Sequence, residues 1–246
     1  PDIVHAHYIS SYGFLGYLSG FKPLITSAWG SDVYYFPKIS LVHNFFIKHL
    51  INRSKVVCSS SKVMAELIQK NFAKRNVHVV PFGVDIDFFK PAKTKPKNFT
   101  VGTIKSIENH NNIECLIDAA KIIKYEYEKN IDFIIVGKGT LLKKMKKKVE
   151  DCNLQNSIKF IGFVNHDNVI KHYHKLSIFI AMSLRESFGV SILEAAACGI
   201  PSITSNIGGL VEVNLNNKTG RVIEPNNPRK LACEIINLYE NDKIRK

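Results

Sequence analysis

The stretch ESFGVSILEAAACGIP, residues 186–201, decides the fold of this chain. It follows an apolar run, LSIFIAM at 176–182, which is typical of a buried strand, and an Ala- and Leu-rich segment after Gly189 predicts a helix that ends at 199–201. A glycine at the start of a helix lets a ligand approach the backbone, and the free N–H groups there attract anions. Glu186 lies in the loop and Glu194 about a turn inside the helix, so a bound phosphate would have one carboxylate near each of its substituents.

Glu186 and Glu194 stand in the pattern E-S-F-G-x-x-x-L-E-A-x-A-x-G-x-P. This pattern resembles the signature of family 4 of the GT-B glycosyltransferases, which are retaining enzymes that use nucleotide sugars. The resemblance implies that Glu186 binds the donor sugar and that Glu194 binds the ribose of the nucleotide. The alternative is an ordinary strand-to-helix turn with one surface Glu and one Glu in the helix interior.

Composition is that of a globular protein. At 246 residues with 45% hydrophobic content, the chain has room for one large or two modest domains. The five cysteines are scattered, odd in number and without metal-ligand spacing, which favours a reducing cytoplasm. No apolar run reaches the ~20 residues of a membrane-spanning helix. The chain starts at Pro1, directly on a strand, so we expect it to be part of a longer protein.

The formal net charge of +13 bears on possible partners. No nucleic-acid-binding motif is present and the lysines are dispersed, so we expect no nucleic-acid partner. The densest cluster, at 143–148, is interpreted as the solvated face of a helix. Attraction to an anionic membrane or to a phosphate-bearing acceptor is the sharper alternative. We expect a cytoplasmic protein, with peripheral contact at the inner face of the membrane as a further option.

Strands and helices alternate along the whole chain, which predicts an α/β fold with parallel sheets and helices on both faces. The Pro-, Lys- and Thr-containing segment 90–98 is the best candidate linker. With the resemblance, this predicts a GT-B architecture of two Rossmann-like, doubly wound domains that face a cleft. Residues 1–92 would form the C-terminal part of an incomplete acceptor-side domain, and 97–246 the donor-binding domain.

Two strand ends in the N-terminal part carry polar side chains. His7 ends the first strand, and Trp29 follows the next one in a segment that resembles the family's T-x-H-G-x-D, with Trp29 at the usual His. Ligands gather at the carboxyl ends of parallel strands, and the resemblance implies a catalytic role for His7. A hydrogen-bonded structural histidine is the alternative for His7, and Trp29 is interpreted as a packing residue.

The family's cationic loop is altered here. Where relatives have G-R and then K-G about five residues later, this chain has Gly102-Thr103 and then Asn109 or His110. Lys105 is the only obligate cation of the loop, and His110 is the candidate for the second. The resemblance assigns both to the donor diphosphate, and the departure puts full activity in doubt.

Further donor contacts are implied by the resemblance alone. They are Gly137, Val164, Ser187, Phe188, Gly189 and Val190. We expect no metal and no cofactor: Asp85-Ile86-Asp87 is interpreted as a turn rather than a metal triplet, and His172-Tyr173-His174 as a solvated helix. Gly208, Gly209 and Glu212 match a turn and helix start of the family. Their role is either structural or functional, and the sequence leaves both open.

The sequence thus predicts a hexosyltransferase. The expected reaction is retaining, metal-independent transfer from a nucleotide diphosphate sugar to a glycan or lipid-linked acceptor in cell-envelope polysaccharide synthesis. One alternative is a nucleotide-sugar-binding module that is catalytically weakened or inactive as this piece of chain. Others are a nucleotide-sugar epimerase on the same fold and, more remotely, a basic nucleic-acid binder. The base, the sugar and the acceptor are left open.

Overall fold

The computed structural model describes residues 1–94, 96 and 98–245. The chain divides into two compact units, which are treated separately below. The first comprises residues 1–82 together with Glu186–Phe188, and the second comprises 83–185 together with the chain from 189 onward. Lys95 and Lys97 of the predicted linker, and Lys246 at the predicted end of the second domain, lie outside the described residues.

The first unit is built on a four-stranded parallel sheet in the order β1-β2-β3-β4. Its strands are β1 (Val4–His7), β2 (Leu24–Ala28), β3 (Val56–Ser59) and β4 (His78–Val79). Its helices are α1 (Phe14–Leu18), α2 (Ser31–Tyr34), α3 (Leu41–Arg53) and α4 (Lys62–Asn71).

Local sequence signals account for the starts of the two longer helices of this unit. The Ser40 hydroxyl accepts the backbone N–H of His43 at the start of α3, and the Ser61 hydroxyl accepts that of Met64 at the start of α4. A serine at this position is a typical N-cap residue. The inner faces of both helices, with Ile47 and Ile68 fully buried, pack on the sheet.

The second unit is built on a six-stranded parallel sheet in the order β10-β9-β8-β5-β6-β7. Its strands are β5 (Thr100–Ile104), β6 (Asp132–Val136), β7 (Ile158–Gly162), β8 (Ile178–Ala181), β9 (Ser202–Ser205) and β10 (Gly220–Ile223). Its helices are α5 (Ile113–Tyr125), α6 (Leu142–Asp151), α7 (His166–Tyr173), α8 (Val190–Ala197), α9 (Leu210–Val213), α10 (Pro228–Glu240) and α11 (Asp242–Arg245).

The strand order of this sheet reverses once. The chain adds β6 and β7 on one side of β5 and then returns to place β8 on the other side. A reversal of this kind opens a crevice at the carboxyl ends of the two strands that flank it, here β5 and β8, and ligands of doubly wound sheets bind in such crevices.

The predicted fold class, with parallel Rossmann-like sheets, is confirmed in both units. The strand predicted at 176–182 is observed as β8, and the helix predicted after Gly189 is observed as α8, which ends at Ala197. The segment that follows Gly83 belongs to the second unit, where Phe89 is buried in the core. The proposed domain limits of 92 and 97 stay a prediction.

Among the residues that the structure describes, there is no helix whose length and apolar character would carry it through a bilayer.

Gly102 is a position in this sheet where the packing leaves no space for a side chain. A Cβ there would lie 2.6 Å from Leu176 Cδ2 and 2.7 Å from the carbonyl oxygen of Ile134 on the neighbouring strand. We expect Gly102→Ala to destabilise the protein by about 1–3 kcal/mol, measured by urea denaturation. Gly83→Ala is the matched control, because a Cβ there meets nothing within 4 Å. Equal stability of the two variants would contradict this account of the central strand.

Candidate functional site

Two loops of the second unit meet at the strand-order reversal. One follows β5 and contains Lys105 and His110, and the other follows β8 and contains Ser183 and Leu184. The backbone N–H of Leu184, in the second loop, donates to the carbonyl of His110 at 2.7 Å. The structure therefore joins the predicted cationic loop to the first residues of the loop that follows β8.

Asn111 holds these two loops together. It is buried, and its side-chain amide donates to the carbonyl of Ser106 at 2.9 Å and to the hydroxyl of the same residue at 2.8 Å. The hydroxyl of Ser183, in the other loop, lies 3.4 Å from Asn111 Oδ1. Sequence reasoning did not single out Asn111, because one Asn among three at 109, 111 and 112 carries no distinguishing signal. Its burial is a property of the fold.

The loops after β5 and β6 run side by side, and this contact explains two glycines. A Cβ on Gly137, whose φ is 142°, would lie 2.0 Å from the carbonyl oxygen of Lys105, and one on Gly139 would lie 2.3 Å from that of Ile107. Close approach of protein backbone is thus enough to require glycine at both positions. The predicted nucleotide contact of Gly137 stays a prediction.

The third neighbouring loop follows β7 and contains Val164. It is joined to the β6 end by a hydrogen bond from the N–H of Gly137 to the carbonyl of Gly162 at 2.8 Å. Val164 is half-buried beside Phe163, whose exposed ring lies 4.8 Å from the ammonium nitrogen of Lys138. Sequence reasoning missed this exposed cation–π pair at the same sheet edge as Lys105.

Helix α8 begins directly after Gly189. This glycine has a φ of 104°, and a Cβ on it would lie 2.9 Å from Leu210 Cδ2 and 3.1 Å from Ile192 Cδ1. A glycine at the N-cap supplies no side-chain acceptor for the first backbone N–H groups of the helix. The N-terminus of α8, with Val190 as its first residue, can therefore offer N–H donors to an anion.

Glu194 projects from the first turns of α8 and is held by a buried tyrosine. Tyr173, at the end of α7, is completely buried, and its hydroxyl lies 2.6 Å from Glu194 Oε2 and 3.1 Å from the carbonyl oxygen of Ser191. The closer acceptor is the carboxylate, so the single hydroxyl hydrogen points to Glu194. Burial, and then the charge of Glu194, raise the pKa of Tyr173 above its usual value. The phenol stays protonated and can always donate.

This contact corrects the interpretation of His172-Tyr173-His174 as a solvated helix. The Tyr173 ring packs edge-on against Phe89 at 5.8 Å between centroids and lies 5.7 Å from the ring of Phe179. Val169 and Tyr173 are the buried residues of α7. Their i, i+4 spacing was the signal in the sequence that could have identified Tyr173 as an inward-facing residue.

Cys198, the residue directly after α8, adds no charge to the site. Burial and the neighbouring Glu194 carboxylate raise the pKa of its thiol to about 11. Cys198 is therefore a neutral neighbour of Glu194 at physiological pH.

In the first unit, the strand ends of β1 and β2 carry ring side chains. His7 is exposed, and its ring lies 4.3 Å from that of His5 and 5.5 Å from that of Trp29. Trp29 is 46% exposed, and its ring also meets that of Phe82 edge-on at 5.8 Å. Trp29 therefore packs against two rings, as its interpretation as a packing residue expects, while nearly half of its surface is exposed.

The loop that carries Trp29 is fixed by a buried carboxylate. Asp32 is fully buried and accepts backbone N–H groups from Ile9 at 2.9 Å, Gly30 at 2.8 Å and Trp29 at 3.2 Å. Burial raises the pKa of Asp32, while these N–H donors act in the opposite direction. Asp32 thus joins the loop after β1 to the loop after β2 and positions His7 and Trp29.

The Asp85-Ile86-Asp87 motif lies in a turn. Asp85 Oδ1 accepts the backbone N–H groups of Asp87 at 2.9 Å and Phe88 at 3.0 Å, which is the geometry of a turn. Within the described residues, no group of three or more His, Cys, Asp or Glu side chains has the arrangement of a metal site.

The candidate residues fall into two sets. The second unit contains Lys105, His110, Gly137, Val164, Gly189, Val190 and Glu194. The first unit contains His7 together with Glu186, Ser187 and Phe188.

Comparison with known proteins gives matches along the whole chain. The family described as "Glycosyl transferases group 1" matches residues 84–246, and the one described as "Glycosyl transferase 4-like" matches 1–61. An uncharacterised glycosyltransferase of Methanocaldococcus jannaschii is 29% identical over 248 residues, which cover all of this chain and 67% of that protein. The N-acetyl-alpha-D-glucosaminyl L-malate synthase of Bacillus anthracis is 25% identical, again over all of this chain and 67% of the relative.

Among solved structures, Anabaena HepE in complex with UDP and glucose aligns with a TM-score of 0.86 and 22% identity, covering 99% of this chain and 70% of that one. This likeness shows the GT-B fold. The matched region spans between 30% and 67% of the length of four curated relatives.

Asn111 should determine the order of the loop after β5. We expect Asn111→Ala to accelerate amide hydrogen exchange at 106–111 and at Leu184 by about tenfold or more, because each lost buried hydrogen bond is worth about 1 kcal/mol or more. Exchange measured by mass spectrometry or NMR checks this. Asn109→Ala, at an exposed side chain of the same loop, is the control. Unchanged exchange in the Asn111 variant would show that other contacts order the loop.

Proposed function

This chain belongs to the glycosyl transferases group 1 family, and we propose that it binds a nucleotide diphosphate sugar and transfers the sugar to an acceptor. We propose further that the transferred group is a hexose or a derivative of one. Two of the similar proteins support this choice, since one is named for N-acetylglucosaminyl transfer and another was solved with UDP and glucose.

One observation carries the proposal for the donor: Glu194 is fixed by Tyr173 behind the N-terminus of α8, at the strand-order reversal. In this scheme the first N–H groups of α8, from Val190 onward, bind the diphosphate. Glu194, one turn further, accepts hydrogen bonds from the ribose hydroxyls. The backbone of Val164 and the loop at Gly137 face the base.

The departing diphosphate gains negative charge as the bond to the sugar breaks, so cations near it lower the barrier. We assign this role to Lys105, with His110 as a second, titratable donor. The bond between the anomeric carbon and the diphosphate oxygen breaks, and the acceptor oxygen bonds to the same carbon while its proton passes to the leaving phosphate. Attack from the face of departure would retain the configuration. No divalent metal is assigned a role.

Glu186 is proposed to orient the donor sugar, with Ser187 and Phe188 beside it, and His7 to assist the reacting hydroxyl. The exposed ring of Trp29, 5.5 Å from that of His7, is available to stack on a sugar face. The proposed acceptor is a glycan or lipid-linked glycan of the cell envelope.

A specific observation favours a second candidate, a donor-binding protein with weakened turnover. Thr103, which stands at the arginine position of the family pattern that this sequence resembles, is buried within β5. It has neither charge nor a long side chain to offer the diphosphate, so Lys105 is the one obligate cation of this loop.

Calorimetric titration with UDP, GDP and ADP, and with their sugar conjugates, tests the proposal. We expect micromolar to sub-millimolar binding of one nucleotide, unchanged by chelation of divalent metals. Transfer to acceptor by the intact protein separates the two candidates, because the weakened module binds donor without turnover. Absence of binding to a folded sample would reject both.

The two glutamates should have separable effects. Glu194→Ala should weaken nucleotide binding by about 1–3 kcal/mol, because the ribose loses a hydrogen-bond acceptor. Glu186→Ala should abolish transfer and leave nucleotide affinity largely intact. Calorimetry and a donor-consumption assay measure the two quantities. Equal nucleotide affinity of wild type and Glu194→Ala would refute the ribose assignment.

The Tyr173 hydroxyl should matter for binding through Glu194. Tyr173→Phe keeps the ring and removes the donor to the carboxylate, so nucleotide affinity should fall by about 1 kcal/mol, roughly fivefold. Tyr125→Phe, whose hydroxyl donates to the carbonyl of Cys152, is the matched control and should bind nucleotide normally. In a Glu194→Ala background, Tyr173→Phe should have no further effect on affinity. Additive losses would mean that Tyr173 acts elsewhere.

A further inference from the structure

Helix α3 of the first unit is apolar on two opposite faces. Its inner face is buried on the sheet through Ile47, Leu50 and Ile51. Its first turns also direct apolar side chains outward: Leu41 is 90% exposed, Val42 74% and Phe45 71%, and the preceding Ile39 is 65% exposed. Positions 41, 42 and 45 share one face of a helix. Contiguous exposed apolar side chains of this size mark an interaction surface.

The far end of the same outward face is cationic. A groove of about 440 Å³ runs between α3 and the end of α4, and Phe45 lies at its border. Four exposed cationic side chains line it: Lys48, Arg53, Lys70 and Lys74. Among the described residues, none of the four side chains forms an ion pair. Their charge is therefore available to an anionic partner.

Charge around this surface has one sign. The segment 33–65 contains no Asp or Glu, and residues 1–82 contain nine Lys and Arg against three Asp and Glu. A second copy of this surface would oppose cation to cation, which is unfavourable. A bilayer with anionic headgroups satisfies both parts at once, because apolar side chains enter the acyl boundary while Lys and Arg meet the phosphates.

We propose that the outward face of α3 docks on an anionic phospholipid bilayer, with Ile39, Leu41, Val42 and Phe45 inserted at the acyl boundary and the Lys48–Lys74 groove on the headgroups. The net charge alone indicates a general attraction to anionic membranes. The exposed face of α3 adds the location of the contact and the orientation of the first unit on the bilayer. It is independent of the donor chemistry proposed for the second unit.

Vesicle cosedimentation tests the electrostatic part. The chain should bind vesicles containing about 30% phosphatidylglycerol, bind pure phosphatidylcholine weakly, and lose most binding at about 0.5 M NaCl. Lys48→Gln/Arg53→Gln should reduce partitioning roughly tenfold. Lys143→Gln/Lys147→Gln, at exposed positions of α6, changes the net charge equally and should leave partitioning nearly unchanged. Equal losses in both pairs would reduce the effect to net charge and overturn the proposal.

Insertion is tested by the apolar residues. Leu41→Ser/Phe45→Ser should lower partitioning about tenfold or more, because two large side chains no longer leave water. Ile86→Ser, at a 70% exposed side chain in the second unit, is the control. Circular dichroism checks folding. As a second readout, Val42→Trp should be quenched by brominated acyl chains and Ile86→Trp should not. Unquenched Trp at 42 would overturn the proposal even if the serine variants fail to fold.

Other occupants of the face give different results. If the face joins two copies of the chain, sedimentation velocity will show a dimer that Leu41→Ser/Phe45→Ser dissociates, and vesicle binding will be absent. If another part of a longer protein covers the face, the longer protein will not bind vesicles and the serine pair will destabilise it. Either result contradicts membrane docking.

Discussion

The reversal of strand order beside β5 is the constraint on which the candidate donor site depends. Parallel strands end at the same edge of a sheet, so the loops that follow them all lie at that edge. Because the strand order reverses between β5 and β8, no connection crosses over the loops that follow these two strands. Hydrogen bonds then fix those loops to each other, through Asn111 on one side and Leu184 on the other. The start of α8 acquires its position from this arrangement, and with it the N–H groups that an anion could bind.

The Tyr173–Glu194 contact extends the constraint from backbone to side chain. A carboxylate in the first turns of a helix has several rotamers, and ordering it for a ligand costs conformational entropy. The tyrosine ring is packed among Phe89 and Phe179 and cannot move away, so its hydroxyl selects one position of the Glu194 carboxylate before any ligand arrives. Preorganisation of this kind requires a single residue, a buried tyrosine on the neighbouring helix.

Much of this organisation could be predicted from the sequence because its signals are local. The run from the β8 strand to Pro201 combines a strand pattern, a glycine helix start and a glycine stop, and Ser61 caps its helix as its position indicates. Tyr173, Asn111 and Asp32 each have a partner between 21 and 72 residues away, which the fold alone brings close. Of the three, Tyr173 carries a local signal, which is its i, i+4 spacing from Val169. The 46% exposure of Trp29 could not be predicted, because large aromatic residues are usually buried. Exposure of Leu41 and Phe45 is equally invisible to periodicity, since α3 is apolar on both faces.

Amide chemical-shift mapping of the isotopically labelled chain, titrated with the nucleoside diphosphate that binds, tests the central claim most directly. The account predicts that the largest shifts fall on 105–111, on the loop after Gly137 and on 189–195, and that the Tyr173→Phe variant loses part of the shifts around Glu194. Shifts confined to other loops, or binding that leaves the α8 N-terminus unperturbed, would contradict the assignment of the donor site to the strand-order reversal.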